Sequence, residues 1–162
     1  MKSGLGLILA GILLAPWAAA ESPSLAARIQ RLEDIEEIRV VLLNYGRYLD
    51  AHDFAAYSRL FAKDGEWTGG FGSVKGPAAI QAFMEKNIPG PNTGNTYHLL
   101  SNFVIEVHGD TATAWSRWAY ITPNAEKRPA MAQGGHYDDM LVRENGHWKF
   151  QRRVAGNDIP TK

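Results

Sequence analysis

A stripe of apolar residues runs through the first part of the chain and predicts one long helix from residue 24 to residue 50. Apolar side chains recur there at steps of three and four, at Leu25, Ile29, Leu32, Ile35, Ile38, Leu42, Tyr45 and Leu49. Such steps place side chains on one face of a helix, and that face is stable only when another element covers it. The rest of the chain therefore has to form a surface large enough to bury this helix.

Two shorter helices are expected after the long one. Asp53 is a typical N-cap for a second helix, and Pro77 is a typical first residue for a third, PAAIQAFMEKN. The buried side of the second helix is predicted to consist of Phe54, Tyr57, Leu60 and Phe61, and the AKDG segment at residues 62–65 is predicted to end it. The glycine-rich, aromatic segment at residues 66–76 is typical of a small strand pair, or of a strand and a loop.

The second half of the chain has the composition of β-strands. Four segments rich in β-branched and aromatic residues are separated by HGD, by a longer PNAEKRPAMAQGG loop and by NG. These segments span residues 97–107, 111–122, 136–144 and 147–155. Helices followed by strands predict an α+β fold, here a cone-shaped α+β barrel in which three N-terminal helices pack in a curved antiparallel sheet. The interior of such a cone is a site for a small apolar ligand.

The N-terminus resembles a secretory signal. Lys2 precedes an apolar run from Leu5 to Leu14, and APWAAAES follows with an A-x-A cleavage pattern that ends at Ala20. We therefore expect a signal peptide over residues 1–20 and a single domain over residues 21–162 that is periplasmic or secreted. The apolar run is shorter than the roughly 20 residues of a membrane-spanning helix, so no membrane association is expected after cleavage.

Charge and motif content exclude several classes of function. The chain has 17 basic and 17 acidic residues, intermixed, and this balance disfavours nucleic acid as a partner. It has no cysteine, no H-x-x-x-H spacing, no phosphate loop and no G-x-S-x-G motif. A protein without a metal or another cofactor is expected.

The order of several segments resembles a known family. IRVVLLNYGRYLDAHDFAAYSRLFAKDGEWT, GPAAIQAFM, YHLLSNFVIEVHGDTATAWSRW and GGHYDDMLVRENGHWKFQRRV together resemble a SnoaL-like domain of the nuclear transport factor 2-like superfamily over nearly all of residues 30–155. Within it, the pattern is similar to the scytalone dehydratase and bile-acid 7α-dehydratase group. That group carries a tyrosine and an aspartate five residues apart at the end of the first helix and a histidine early in the first long strand. The resemblance thus implies catalytic roles for Tyr45, Asp50 and His98.

The chemistry of these three residue types suits proton transfer. An Asp50–His98 pair would form an acid-base unit, and the Tyr45 hydroxyl would hold a substrate oxygen. Each residue also has a purely structural interpretation. Asp50 would be a solvated acid at an exposed helix end, His98 a half-buried histidine bonded to a backbone carbonyl, and Tyr45 a core tyrosine. On a regular helix Tyr45 and Asp50 lie about 140° apart, so they converge only if the cone closes around the helix end.

Substrate-binding residues are expected among the aromatic and polar side chains of the strands. The group's dehydratases carry a further histidine or aspartate on the next strand, where this chain offers only Ser116 and Arg117. The last strand offers a basic residue in Arg152 or Arg153, and either one is also able to form a structural ion pair with Asp139. The predicted substrate-binding set is Trp67, Tyr97, Ser116, Arg117, Tyr137 and Arg152.

Three functions are compatible with this sequence. The first is a lyase or isomerase, similar to a dehydratase or cyclase, that acts on a hydrophobic polyketide- or steroid-like molecule through the Asp50–His98 pair. The second is a non-catalytic module that binds an apolar ligand in the same cone. The third is an association domain in which aromatic side chains fill the cone. A homodimer or higher homo-oligomer is expected with any of the three.

Overall fold

The computed structural model describes residues 22–90 and 94–159, which form three helices and six strands. The helices are α1 (Leu25–Ala51), α2 (Phe54–Ser58) and α3 (Pro77–Asn87). The strands are β1 (Phe61–Gly69), β2 (Gly72–Lys75), β3 (Tyr97–His108), β4 (Thr111–Pro123), β5 (Pro129–Glu144) and β6 (His147–Ile159). The predicted signal peptide lies outside the described residues.

Helix α1 is the long helix that the apolar stripe predicts. The Ser24 hydroxyl caps its N-terminus by accepting a hydrogen bond from the backbone N–H of Ala27, and His52 ends it in the left-handed conformation. Its buried face begins at Asp34 and ends at Leu49. The first residues of the stripe, Leu25, Ile29 and Leu32, are exposed, because the sheet covers only the part of α1 after its first two turns.

The second helix is shorter than predicted. It ends at Ser58, and the chain enters β1 at Phe61, so the AKDG segment lies in a strand rather than at a helix end. Phe61 is fully buried and pairs with Phe150 of β6, which means that pairing with a distant strand overrides the helical pattern at this point. The glycine-rich segment does form the predicted pair, in which β1 and β2 are antiparallel.

All six strands belong to one curved sheet with the order β2-β1-β6-β5-β4-β3. Neighbouring strands are antiparallel except β1 and β6, which are parallel. Strand β5 begins at Pro129, so most of the predicted PNAEKRPAMAQGG loop is strand and only residues 124–128 connect β4 to β5. The helices pack against this sheet, as the α+β prediction requires.

A β-bulge in β6 decides which arginine points inward. Leu141 of β5 pairs with Phe150, and the next residue of β5, Met140, pairs with Arg152, which leaves Gln151 as the extra residue. The bulge reverses the alternation of faces along β6. Phe150 is buried before it, and Arg153, not Arg152, is buried after it.

The core lies between the buried face of α1 and the concave face of the sheet. It is rich in aromatic residues, among them Tyr45, Tyr57, Phe61, Trp67 and Phe150. None of the helices within residues 22–90 and 94–159 combines the length and apolar character needed to cross a membrane.

Candidate active site

Asp50 and His98 are in direct contact at the end of α1 and the start of β3. The Nδ1 atom of His98 lies 2.6 Å from Oδ1 of Asp50, and the backbone N–H of His98 donates to Oδ2 of Asp50 at 2.8 Å. The His98 side chain is 17% exposed and the Asp50 side chain is 19% exposed. Since Nδ1 faces the carboxylate, Nε2 is the ring nitrogen left for other partners, and the second contact fixes the orientation of the carboxylate.

A glycine allows α1 and β3 to approach each other closely enough for this contact. Gly46 is one helical turn before Asp50, and Leu100 lies on the same side of β3 as His98. A Cβ atom at residue 46 would lie 2.7 Å from Cδ1 of Leu100, closer than van der Waals contact permits. The absence of a side chain at Gly46 therefore brings the helix end and the strand together.

The Asp50–His98 pair lies in the wall of a cavity of about 470 Å³. This volume is within the range of small-molecule sites. Aromatic side chains form much of the wall: Tyr45, Tyr57, Trp67, Phe71, Trp118, Tyr120 and Tyr137. Besides Asp50 and His98, the polar side chains of the wall are His52, Asn87, Thr96, Gln133 and Asn157.

Tyr45 belongs both to the core and to the cavity wall. It is 2% exposed, and its hydroxyl accepts a hydrogen bond from Nε1 of Trp67 at 2.9 Å. Although Tyr45 and Asp50 are five residues apart on α1, both face the same cavity, because the sheet curves around the end of the helix. Tyr45 thus has the bonded hydroxyl of a core tyrosine, and that hydroxyl still has a proton to donate.

Arg153 is buried directly behind two tyrosines of the wall. Its guanidinium carbon lies 4.0 Å from the ring centroid of Tyr45 and 4.1 Å from that of Tyr137. Asp139 accepts two hydrogen bonds from it, so the ion pair that the sequence left open between Arg152 and Arg153 is formed by Arg153. Burial alone would lower the pKa of Arg153, but the Asp139 carboxylate raises it above its ordinary value.

Trp67 and Tyr137 of the predicted substrate-binding set line the cavity, and the other four residues do not. Tyr97 precedes His98 on β3 and so points to the opposite face, where it is exposed. Arg117 points outward and pairs with Asp158, and Arg152 is turned outward by the bulge. Ser116 points inward but is fully buried in the core.

Four aromatic residues that the predicted site omitted lie in the cavity wall, and Phe71 is one of them. The rings of Tyr120 and Trp118 lie 4.7 and 6.2 Å from the ring of His98, respectively, and Tyr57 of α2 faces the cavity from another side. Alternation along β4 could have identified Tyr120 and Trp118, because both share the inward side with Ser116. The sequence pattern predicted Tyr57 only as a residue on the buried side of a short helix and did not indicate that it lines a cavity.

Metal ligation finds no support in this site. Across residues 22–90 and 94–159, no group of three or more histidine and acidic side chains is placed to hold a metal ion.

Comparisons with known proteins agree with this fold. A family model described as a SnoaL-like domain matches residues 30–154. The solved structure of an NTF2-like protein with a cystatin-like fold from Novosphingobium aromaticivorans is similar, with 30% sequence identity. The match covers 85% of this chain and 90% of that protein's chain, with a TM-score of 0.73. No curated protein matches the sequence significantly.

Two more distant structures share the fold alone. A candidate scytalone dehydratase from Novosphingobium aromaticivorans is 24% identical, over 82% of this chain and 89% of its own, with a TM-score of 0.67. ActVI-ORFA from Streptomyces coelicolor is 24% identical, over 76% of this chain and 96% of its own, with a TM-score of 0.66. The family match over most of the chain and the shared fold lead to one conclusion: the protein belongs to the SnoaL-like domain family, with the nuclear transport factor 2-like fold.

Proposed function

We propose that the protein is a cofactor-independent lyase or isomerase that moves a proton on a hydrophobic, ketonic or hydroxylated small molecule. The contact between Asp50 and His98 in the wall of an aromatic cavity is the observation that carries this proposal. A histidine held by a carboxylate is a typical general base, because the carboxylate fixes the tautomer and stabilises the imidazolium that forms.

In the proposed reaction, Nε2 of His98 removes a proton from a carbon next to a carbonyl group. The electrons of the C–H bond move to the carbonyl oxygen and form an enolate, and Asp50 stabilises the protonated imidazole. The enolate then re-forms the carbonyl and expels a β-hydroxyl, which takes the proton from His98 and leaves as water. If the proton returns to another carbon instead, the product is an isomer.

The cavity wall supports a flat apolar substrate. Trp67, Trp118, Tyr120 and Tyr137 offer ring faces and edges against which a planar ring system packs well. The volume of about 470 Å³ is within the range of small-molecule sites and is compatible with a fused-ring molecule. The shared fold with a candidate scytalone dehydratase also favours a polyketide-like substrate. We therefore place the substrate among cyclic polyketide- or steroid-like hydroxyketones.

The proposal is tested with a panel of cyclic β-hydroxyketones whose dehydration yields a conjugated, ultraviolet-absorbing product. Turnover by the wild-type protein should fall by a factor of about 10² to 10⁴ in Asp50→Asn and in His98→Ala. His108→Gln is a matched control, because His108 is exposed at the far end of β3. Near-full activity in both Asp50→Asn and His98→Ala would refute the mechanism.

A non-catalytic ligand-binding module is the second candidate, since the same cavity would serve it. Under this alternative, a ligand binds to the wild-type protein and to Asp50→Asn with similar affinity, and no member of the panel is turned over. Binding measured in parallel with turnover separates the two functions.

We also propose a homodimer that forms through the outer face of the sheet. Leu99, Val104 and Met140 are more than half exposed there, at 53%, 55% and 52%. Val104 and Met140 flank β4, where they pair with Trp115 and Thr113, respectively. An exposed apolar patch of this kind is typical of association surfaces. Sedimentation of the wild-type protein should give a dimer, and Val104→Glu with Met140→Lys should give a monomer.

Export is a separate proposal that follows from the N-terminal sequence. Mass spectrometry of the protein recovered from its native host should find an N-terminus near residue 21. An intact Met1 would refute cleavage of a signal peptide.

A further inference from the structure

Tyr57 is a buried cavity residue with an unused hydrogen-bond donor. It is fully buried, and its ring forms part of the cavity wall. Within the part of the chain that the structure describes, its hydroxyl has no partner at normal hydrogen-bond distance, although the Tyr45 hydroxyl lies close enough to interact with it and to raise its pKa. A buried polar group without a partner is rare in folded proteins and unfavourable, so its presence in a ligand-sized cavity calls for a functional explanation.

The surroundings of Tyr57 keep its hydroxyl protonated. Burial raises the pKa of Tyr57 well above its ordinary value, and the neighbouring Tyr45 and Tyr137 raise it further. The rings of Tyr45 and Tyr57 lie 4.8 Å apart. Tyr57 is therefore poised to donate a hydrogen bond to a ligand rather than to lose a proton to one.

The position of Tyr57 gives the cavity two different ends. Tyr45, Tyr57 and Tyr137 are buried, whereas Asp50 and His98 are partly exposed. The tyrosines thus form a closed end, and the acid-base pair lies nearer the solvent. A ligand that reaches the closed end meets a hydroxyl donor between aromatic rings.

We propose that Tyr57 determines substrate specificity by donating a hydrogen bond to an oxygen acceptor, a carbonyl or ether-like oxygen, that the substrate inserts into the closed end. The oxygen satisfies the unpaired hydroxyl, and the rest of the substrate then extends toward His98. This inference rests on the proposed use of the cavity for a small molecule and adds the chemical group that the molecule must carry at its buried end.

The unpaired hydroxyl also predicts a stability signature. Without a ligand, the hydroxyl of Tyr57 has lost its contact with water and has gained no partner. Tyr57→Phe removes this group and keeps the ring, so the ligand-free variant should melt at a temperature equal to or above that of the wild type. A hydroxyl that served the stability of the fold would give the opposite result.

The test compares two probes of nearly equal size, 2-tetralone and tetralin, which differ by one carbonyl oxygen. Binding is followed by calorimetry and by tryptophan fluorescence, which is sensitive to a ligand in the cavity because Trp67 and Trp118 lie in its wall. The wild type should bind 2-tetralone more tightly than tetralin. Tyr57→Phe should weaken 2-tetralone binding by a factor of about two to ten and leave tetralin binding unchanged, as expected for one neutral hydrogen bond.

Tyr48→Phe is the matched control. The same atom is removed, but the Tyr48 hydroxyl lies outside the cavity and accepts a hydrogen bond from Arg47. This variant should retain the preference for 2-tetralone. The inference is overturned if the wild type binds the two probes equally or binds neither at millimolar concentration, or if Tyr57→Phe keeps the preference.

A third variant separates this inference from the proposed reaction. His98→Ala removes the base but not the closed end, so it should lose turnover and keep the preference for 2-tetralone. If no substrate is turned over while Tyr57→Phe abolishes the preference, the specificity role stands and the proposed reaction fails.

Discussion

Arg153 donates two hydrogen bonds to Asp139, from Nε at 2.7 Å and from Nη2 at 2.6 Å, and both side chains are fully buried. The guanidinium also lies against the rings of Tyr45, Tyr137 and Phe150. The charge of Arg153 is thus balanced by one carboxylate and by three aromatic rings. This pair joins β5 to β6 directly behind the cavity wall.

Replacing one residue of the Arg153–Asp139 pair should destabilise the fold far more than replacing both. Arg153→Met or Asp139→Leu leaves one buried charge without its partner, and we expect each to lower the free energy of unfolding by about 3 to 5 kcal/mol. The double variant replaces the pair with apolar groups and should be much more stable than the sum of the two losses predicts. Urea denaturation of the four proteins measures this coupling, and additive losses would show that the two side chains act independently.

Two adjacent glycines of β5 should respond very differently to the same substitution. A Cβ atom at Gly135 would lie 1.9 Å from the backbone oxygen of Gly156 and 2.9 Å from the Trp118 ring. We expect Gly135→Ala to lower the free energy of unfolding by about 3 kcal/mol or more, because β6 and Trp118 must both move.

Gly134→Ala is the matched control for this prediction. The nearest atom to a Cβ at residue 134 is the tip of Ile159, 3.3 Å away, and a side-chain tip moves readily. This variant should change the free energy of unfolding by less than about 1 kcal/mol. Equal melting temperatures for the two variants would contradict the close packing of β5 on β6.

The stability of the fold at acid pH should depend on Asp34. Burial alone would raise the pKa of this carboxyl, but hydrogen bonds from Arg143, Gln30 and Trp148 together lower it below its ordinary value of 3.8. Because the folded-state pKa lies below the unfolded-state pKa, the ionised carboxylate stabilises the fold above about pH 4. This stabilisation is lost as the pH falls through the folded-state pKa.

Thermal denaturation of the wild type and of Asp34→Asn at a series of pH values measures this effect. The wild type should melt at a higher temperature near neutral pH, and the difference should shrink as the pH falls below about 4. A difference that stays constant down to about pH 3 would mean that the charge of Asp34 does not contribute.

Much of the fold could be predicted from periodicity in the sequence. Apolar residues at steps of three and four predicted α1. Segments of β-type composition separated by turn residues predicted most of β3, β4 and β6. The errors came from long-range pairing. Phe61 belongs to a strand because it pairs with Phe150, and β5 begins at Pro129 because its first residues pair with β4. A local pattern carries no information about such partners.

The candidate site shows the same limit. The contact between Asp50 and His98 was expected from the family resemblance, and the structure places the two side chains together. Regular alternation along β6 from Trp148 and Phe150 predicts that the Arg152 side chain points inward. In the structure, the bulge at Gln151 shifts the alternation, and Arg153 points inward instead. The unpaired hydroxyl of Tyr57 depends on the surrounding tertiary structure, so the sequence alone could not identify it. The catalytic roles remain predictions.

Proton removal by His98 is tested most directly by deuterium exchange into 2-tetralone, followed by NMR in D₂O. The carbon atoms next to the carbonyl exchange their protons when a base removes them, so the measurement does not require the natural substrate. We predict that the wild-type protein exchanges the protons faster than buffer alone does. His98→Ala should reduce this acceleration by a factor of at least about 10², and His108→Gln should keep it. Exchange by His98→Ala at the wild-type rate, or exchange by the wild type no faster than in buffer, would contradict the account.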